Sequence, residues 1–184
     1  QGLNIASKSL PLEIKADQLR ACSDFIKARL VNYLLEKGFR YDVVAAIVAI
    51  QGDIPYHTFQ AVQELTDWVR RPDWEKILQA FSRCVRITRD FPQRFIPNEA
   101  LLEDEEEKQL YQAIQNAQAQ VRKEGSVNDL LKAFTPLIPV IDRFFEKVLV
   151  MTDELSLQHN RLGLLQQIVA LADRVIDFTK LEGF

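Results

Sequence analysis

The chain has 184 residues, 47% of them hydrophobic and 27% charged, with a formal net charge of −3 at pH 7. That balance fits one globular domain with a real core, and it excludes a wholly disordered chain and a strongly basic, histone-like nucleic-acid binder. It leaves room for a local cationic patch on an acidic surface, because binding follows the local field and not the total.

Cys22 and Cys84 are the only cysteines. Two widely spaced cysteines make neither a disulfide framework nor a zinc motif, which favours a reducing compartment. The apolar run from Val43 to Ile50 falls far short of the roughly 20 residues a membrane span needs. The first residues carry no secretory signal pattern. The sequence opens on Gln1 rather than Met, and we expect it to be a piece of a longer polypeptide.

Residues 1–15 lack periodicity and read as a leader or linker from an upstream domain, with residues 16–184 forming the domain proper. From Asp17 to Lys37 the spacing of Leu19, Cys22, Ile26, Leu30, Tyr33 and Leu34 predicts a helix, closed by Gly38 in a left-handed turn. Asp42 is placed to cap a short buried helix, Val43 to Ile50, whose alanines favour helix over strand. Gly52, Asp53 and Pro55 stop it. Another helix is expected from His57 to Val69, broken by Arg71-Pro72-Asp73.

Asp73 can cap the next helix, Trp74 to Arg89, which is sharply two-sided. Ile77, Leu78, Phe81, Cys84 and Val85 share one half of the wheel; Lys76, Arg83, Arg86 and Arg89 share the other, and Arg94 extends the positive stripe. The acids Glu103 to Glu107 read as a solvated first turn that suits the helix dipole, because consecutive acids point around a helix and do not converge on a metal. That helix is expected to run past Leu110, Ile114 and Val121 to Lys123, with Gly125 closing it. A further helix begins at Ser126 or Asn128 and is broken or kinked at Pro136 and Pro139. The stretch from Val140 to Met151 leads to a last helix from about Leu155 to Leu181. No segment alternates with a period of two, so the expected fold is an all-α helical bundle with short connections.

No phosphate-binding glycine loop, HExxH pair or GxSxG elbow occurs, and His57 and His159 lie far apart. Neither catalytic nor metal-binding residues are expected, and a binding module is the better class. The arginines are the lead, since guanidinium groups make bidentate contacts to phosphates and exposed rings stack on unpaired bases. For each of Arg83, Arg86 and Arg89 the competing reading is a solvated helix face. Arg161 lines up with Leu165, Ile168 and Ala172 in the apolar arc of the last helix. A buried charge there must be paired, so Arg161 reads either as a clamp to Asp142 or Glu146 on the preceding helix or as an RNA contact. Asn160 and Gln158 point elsewhere and read as freer to meet a ligand.

Two segments, FIKARLVNYLLEKGFRYDVVAAIVA near the start and FFEKVLVMTDELSLQHNRLGLL near the end, together with the closing ADRVIDFTKLEGF, resemble the C-terminal region of the bacterial glycyl-tRNA synthetase β subunit. The likeness covers roughly Asp17 to Leu181. It implies a helical anticodon-binding domain related to those of arginyl- and methionyl-tRNA synthetases, which holds the anticodon end of glycine tRNA. It implies as well that glycine activation with ATP and Mg²⁺ occurs on a separate α subunit of an α₂β₂ assembly, so no cofactor is expected in this chain. The implied partners are glycine tRNA and the α subunit, with neither DNA nor a membrane. The implied location is the bacterial cytoplasm, with a plastid as the alternative. The family pattern matches at Arg29, Arg40, Tyr41, Asn160 and Arg161, which places these near RNA, Tyr41 as a stacking group. The alternative kept open is a helical protein–protein interaction module that binds no RNA.

Overall fold

The computed structural model describes residue 5, residues 15–120 and residues 122–184. Most of the leader expected over residues 1–15 lies outside the described residues. The rest is all-α, with no strand among the described residues. In chain order the helices are α1 (Ala16–Glu36), α2 (Tyr41–Gln51), α3 (Pro55–Val69), α4 (Trp74–Thr88), α5 (Glu105–Ala119), α6 (Val127–Phe134), α7 (Ile138–Lys147) and α8 (Leu155–Ala170). Short 3₁₀ turns lie at Glu99–Leu101, Thr135–Leu137 and Phe178–Lys180. None of these helices is long and apolar enough to cross a membrane.

Local signals explain most of the boundaries. Gly38 ends α1 with φ 86°, as a left-handed helix stop requires. Pro55 and Pro139 fall in the first turns of α3 and α7, where the missing N–H is no loss. Ser126 caps α6 by accepting from the Asp129 N–H. Asp42 does not cap α2. The helix starts one residue earlier, at Tyr41, and the Asp42 carboxylate instead accepts from Arg40 and from the backbone N–H of Glu182. Likewise Asp73 makes no side-chain cap bond, because Arg71 holds its carboxylate.

The bundle is built around α8, which lies between α4 and α5, while α1, α2 and α3 pack in succession and α3 meets α6. Leu162, Leu164, Leu165 and Ile168 of α8 are fully buried. The expected helix to Leu181 is corrected: α8 stops at Ala170 and the chain turns back at Arg174, whose φ is 63°. Tertiary contacts override the helical pattern of ADRVIDFTK there. The Asp177 N–H donates to the Ala46 carbonyl of α2, and the Gln51 side chain donates to the carbonyls of Val175 and Gly125. The turn delivers Phe178 onto Phe81 of α4, with ring centroids 4.2 Å apart. Burying a ring of that size stabilises by about 1.5–3 kcal/mol, more than a few further turns of solvated helix would give. α5 ends at Ala119, short of the Lys123 expected.

The connection from α4 to α5 crosses α8 as an extended strap, residues 91–98. Three positions one turn apart on α8 hold it. Asn160 accepts from the Asn98 N–H at 2.6 Å and donates to its carbonyl at 3.2 Å, and Gln166 accepts from the Phe95 N–H and donates to the carbonyls of Phe91 and Gln93. Between them sits Gly163, where a Cβ would come within 3.0 Å of the Phe95 carbonyl and 3.2 Å of Pro97. His159 stacks flat on Phe95, centroids 4.2 Å apart.

Candidate nucleic-acid interface

The two-sided pattern of α4 becomes two-sided burial. Ile77, Leu78, Phe81 and Cys84 face the core, and Lys76, Arg83, Arg86 and Arg89 are exposed. The apolar half is anchored on α8, so the cationic half points outward along one helix face. Its charges are not equally free. Arg83 lies over the ring of Phe145 at 4.3 Å and 3.7 Å from the Asp142 carboxylate, which fixes it against α7. Arg89 is 3.5 Å from its neighbour Asp90, and Arg94, on the strap, is 3.2 Å from Asp173. Lys76 and Arg86 have no ion-pair partner among the described residues. A row of fixed and free cations on one rigid helix suits a phosphate backbone, which is met by charge at regular spacing and is not read for sequence.

Arg40 and Tyr41 lie elsewhere, at the start of α2. Tyr41 is 73% exposed, and its ring is able to stack. It borders a shallow cleft of about 420 Å³ shared with Arg40, Lys180 and Leu181. Arg40 is engaged: it donates to both oxygens of Asp42, at 3.0 and 2.7 Å, and to Glu182 at 3.1 Å. Burial alone pushes the Asp42 carboxyl up, but the Glu182 N–H, the Arg40 guanidinium and the Val43 N–H together outweigh it and hold Asp42 below the usual range. The segment that follows Phe178 joins the two regions, since Phe178 rests on Phe81 of α4 and the Glu182 N–H rests on Asp42 of α2. Arg29 is exposed on α1 with no ion-pair partner among the described residues.

Asn160 and Arg161 are not available to a ligand. Asn160 is 3% exposed and committed to the strap, so the expectation that it is free is corrected. Arg161 is a clamp, but to different partners from those expected. Its Nε donates to Glu107 at 2.5 Å, one Nη to the Leu149 carbonyl at 3.0 Å and the other to Asp104 at 3.4 Å. Asp142, one of the two partners expected, faces Arg83 instead. The guanidinium thereby ties α8 to the start of α5 and to the loop after α7.

The acidic run is corrected with it. Glu107 is fully buried, and its second oxygen accepts from the N–H groups of Glu103 and Asp104, at 2.7 and 2.9 Å. One carboxylate therefore caps α5 and neutralises Arg161 at once. The D-x-x-E spacing of Asp104 and Glu107 is the capping-box signal that picks this acid out of the run. Nothing in the order of residues pairs it with Arg161, 54 positions on. Among the described residues no three His, Cys, Asp or Glu side chains are grouped as a metal ion's ligands would be.

The DALR anticodon binding domain family matches residues 77–182, from α4 to the end of the terminal turn. Over nearly the whole chain the sequence is similar to proteins named glycine–tRNA ligase beta subunit. It is 31% identical to that of Moorella thermoacetica over 93% of this chain, 33% identical to that of Geotalea daltonii over 92%, and 34% identical to that of Desulfatibacillum aliphaticivorans over 97%. The chain spans only about a quarter of the length of these relatives, 25%, 24% and 27%. A fold that is helical throughout its described part, a core helix flanked by a cationic helix, and a match across more than half of the sequence lead to one statement: the chain belongs to the DALR anticodon binding domain family.

Proposed function

We propose that this chain grips the anticodon arm of glycine tRNA, as the tRNA-reading end of a glycine–tRNA ligase β subunit. In that reading it is part of a bacterial cytoplasmic enzyme of α₂β₂ form, and glycine is activated with ATP and Mg²⁺ on the α subunit. The observation that carries the reading is the exposed row of Lys76, Arg83, Arg86 and Arg89 along α4 and its C-terminal end, the three arginines falling within the matched family region. Its spacing along one rigid face provides backbone contacts, while Tyr41, exposed beside a cleft, provides a ring for an unpaired base. The role is to position: it holds one end of a long RNA so that the other reaches a reactive centre on another chain.

The test is direct titration with glycine tRNA and an anticodon-swapped control across a salt series. Tighter binding of the glycine tRNA at matched salt is expected. Equal binding of both at every salt concentration removes anticodon reading, because phosphate contacts carry no sequence information.

A second reading, a protein-interaction module, has its own observation. Leu149, Met151 and Leu155 are 71%, 47% and 65% exposed around the loop between α7 and α8, with Asp153 and Glu154 exposed beside them. An acidic rim repels RNA and suits a protein. If the chain fails to bind either tRNA at low salt, this reading takes precedence.

A further inference from the structure

The one non-glycine residue with left-handed backbone among the described residues is Arg174, at φ 63°. Holding a side-chain-bearing residue there strains the backbone, and such strain persists where surrounding structure enforces it, often at working sites. Arg174 sits in the turn after α8, at the edge of two clefts of about 370 and 260 Å³. The larger lies between that turn and the 122–126 loop. Its charged lining is Arg122, Lys123 and Arg174 against Glu124 and Asp173. Asp173 is already engaged by Arg94 at 3.2 Å. Arg122 donates to the Leu171 carbonyl at 3.1 Å, which satisfies the negative end of α8. Lys123 and Arg174 are exposed and have no ion-pair partner among the described residues.

The walls are built. Gln51, at the end of α2, donates to the Gly125 carbonyl at 2.9 Å and the Val175 carbonyl at 2.7 Å, fixing the loop and the turn to one amide. Gly125 has φ 73°, and a Cβ there would come within 2.6 Å of the Gln51 oxygen. Glycine thus suits the turn, and a side chain there would press on the Gln51 amide that joins the two segments.

We propose that this cleft is a second phosphate-binding site, distinct from the α4 row, in which Arg174 and Lys123 hold a phosphodiester of the bound RNA. This rests on the RNA-binding reading above and extends it to a second point of attachment. A planar guanidinium suits two phosphate oxygens, and the mobile ammonium of Lys123 neutralises the remaining charge. The strained backbone at Arg174 is then explained by its side chain, since glycine would fit the turn with less strain and carry no guanidinium.

The experiment compares the wild-type chain with Arg174→Gly, Lys123→Gln and Arg86→Gln. Each is titrated with glycine tRNA from low to moderate salt and melted with and without inorganic phosphate. Arg174→Gly is expected to raise the melting temperature and yet bind the RNA several-fold more weakly. Its log-affinity against log-salt slope should be shallower by about one. Lys123→Gln should lower the slope similarly with melting unchanged. If Arg86→Gln weakens RNA binding while Arg174→Gly and Lys123→Gln leave affinity and slope as in wild type, the cleft assignment is overturned and the α4 reading stands. If the wild-type chain binds no RNA at any salt, both fall. If phosphate stabilises wild type but not Arg174→Gly while RNA binding is indifferent to the change, the cleft takes a free anion, and the phosphodiester assignment is wrong.

Discussion

Arg161 on α8 and Arg86 on α4 are the same residue type on neighbouring helices, and their surroundings make them opposites. Arg161 is 6% exposed and has four oxygen partners within hydrogen-bond or ion-pair range, among them the buried Glu107 carboxylate. Arg86 is exposed with no ion-pair partner among the described residues. Local sequence marks the difference in part, since Arg161 lies in the apolar arc of its helix and Arg86 on the polar half of its own. Packing completes it: α8 is wrapped by α4, α5 and the strap, whereas α4 packs on α8 and α7 and leaves Arg86 exposed. An arginine on a wrapped helix must serve the fold, and one on a half-covered helix is left for something outside.

The hardest blow to that contrast is Arg161→Ala. It strands Glu107 as an unpaired buried charge, and we expect a loss of about 3–5 kcal/mol. For a chain of this size that lowers the melting temperature by roughly 6–20 °C. A variant that melts like wild type would mean that α5 and α8 are held together by packing alone.

Next comes Gly163→Val. The added carbons meet the strap at Phe95 and Pro97, and overpacking of this kind costs about 1–3 kcal/mol. Hydrogen exchange should show the Phe95 and Asn98 amides losing protection ahead of α4. Uniform loss across the molecule would instead show that the strap is not a separate layer.

Arg86→Gln sits at the other pole. Stability should stay within about 0.5 kcal/mol of wild type. RNA affinity should fall alike for glycine tRNA and its anticodon-swapped control, with the salt slope reduced by about one. A drop confined to one of the two tRNAs would make Arg86 a reader of bases rather than of phosphates.

The two cysteines restate the contrast in a gentler form. Burial pushes the Cys84 thiol up to about 12, so its thiolate is scarce near neutrality, while Cys22 is exposed on α1. A thiol reagent at pH 8 should titrate one group in the folded chain and two after denaturation. Asp42 gives the smallest effect. Its carboxyl is lowered in the fold, so its contribution is complete above the ordinary aspartate range near 3.8 and fades as pH falls through the lowered value. Asp42→Asn should therefore shrink the acid-side fall in melting temperature and leave its position at pH 7 nearly independent of further pH increase.

Much of this was legible in the residues themselves. The alternation of apolar and basic positions marked α4, the alanine-rich run marked α2, and Gly38, Pro72 and Ser126 marked boundaries through their own backbone chemistry. The rest depends on partners distant in sequence. Arg161 was recognisable as a clamp because it interrupts an apolar arc, yet both partners proposed for it, on the preceding helix, were wrong. Helical periodicity tells which side of a helix a residue takes and not which helix faces it. The end of α8 was invisible for a related reason: no glycine or proline lies between Leu171 and Leu181, and the turn there is imposed by Phe178, Asp177 and Gln51. Asn160 and Gln166 were hidden too, because polar residues that serve a neighbouring strap look the same as polar residues that serve solvent.

The double bond made by Gln51 has a consequence for motion. One amide answers carbonyls from two segments about fifty positions apart, Gly125 and Val175, so peeling either segment away leaves a donor half satisfied in a partly dry setting. The two should therefore breathe in concert, as a single cooperative unit. A ligand seated between them meets jaws already set at their final gap, and it gains affinity because little remains to be immobilised when it arrives.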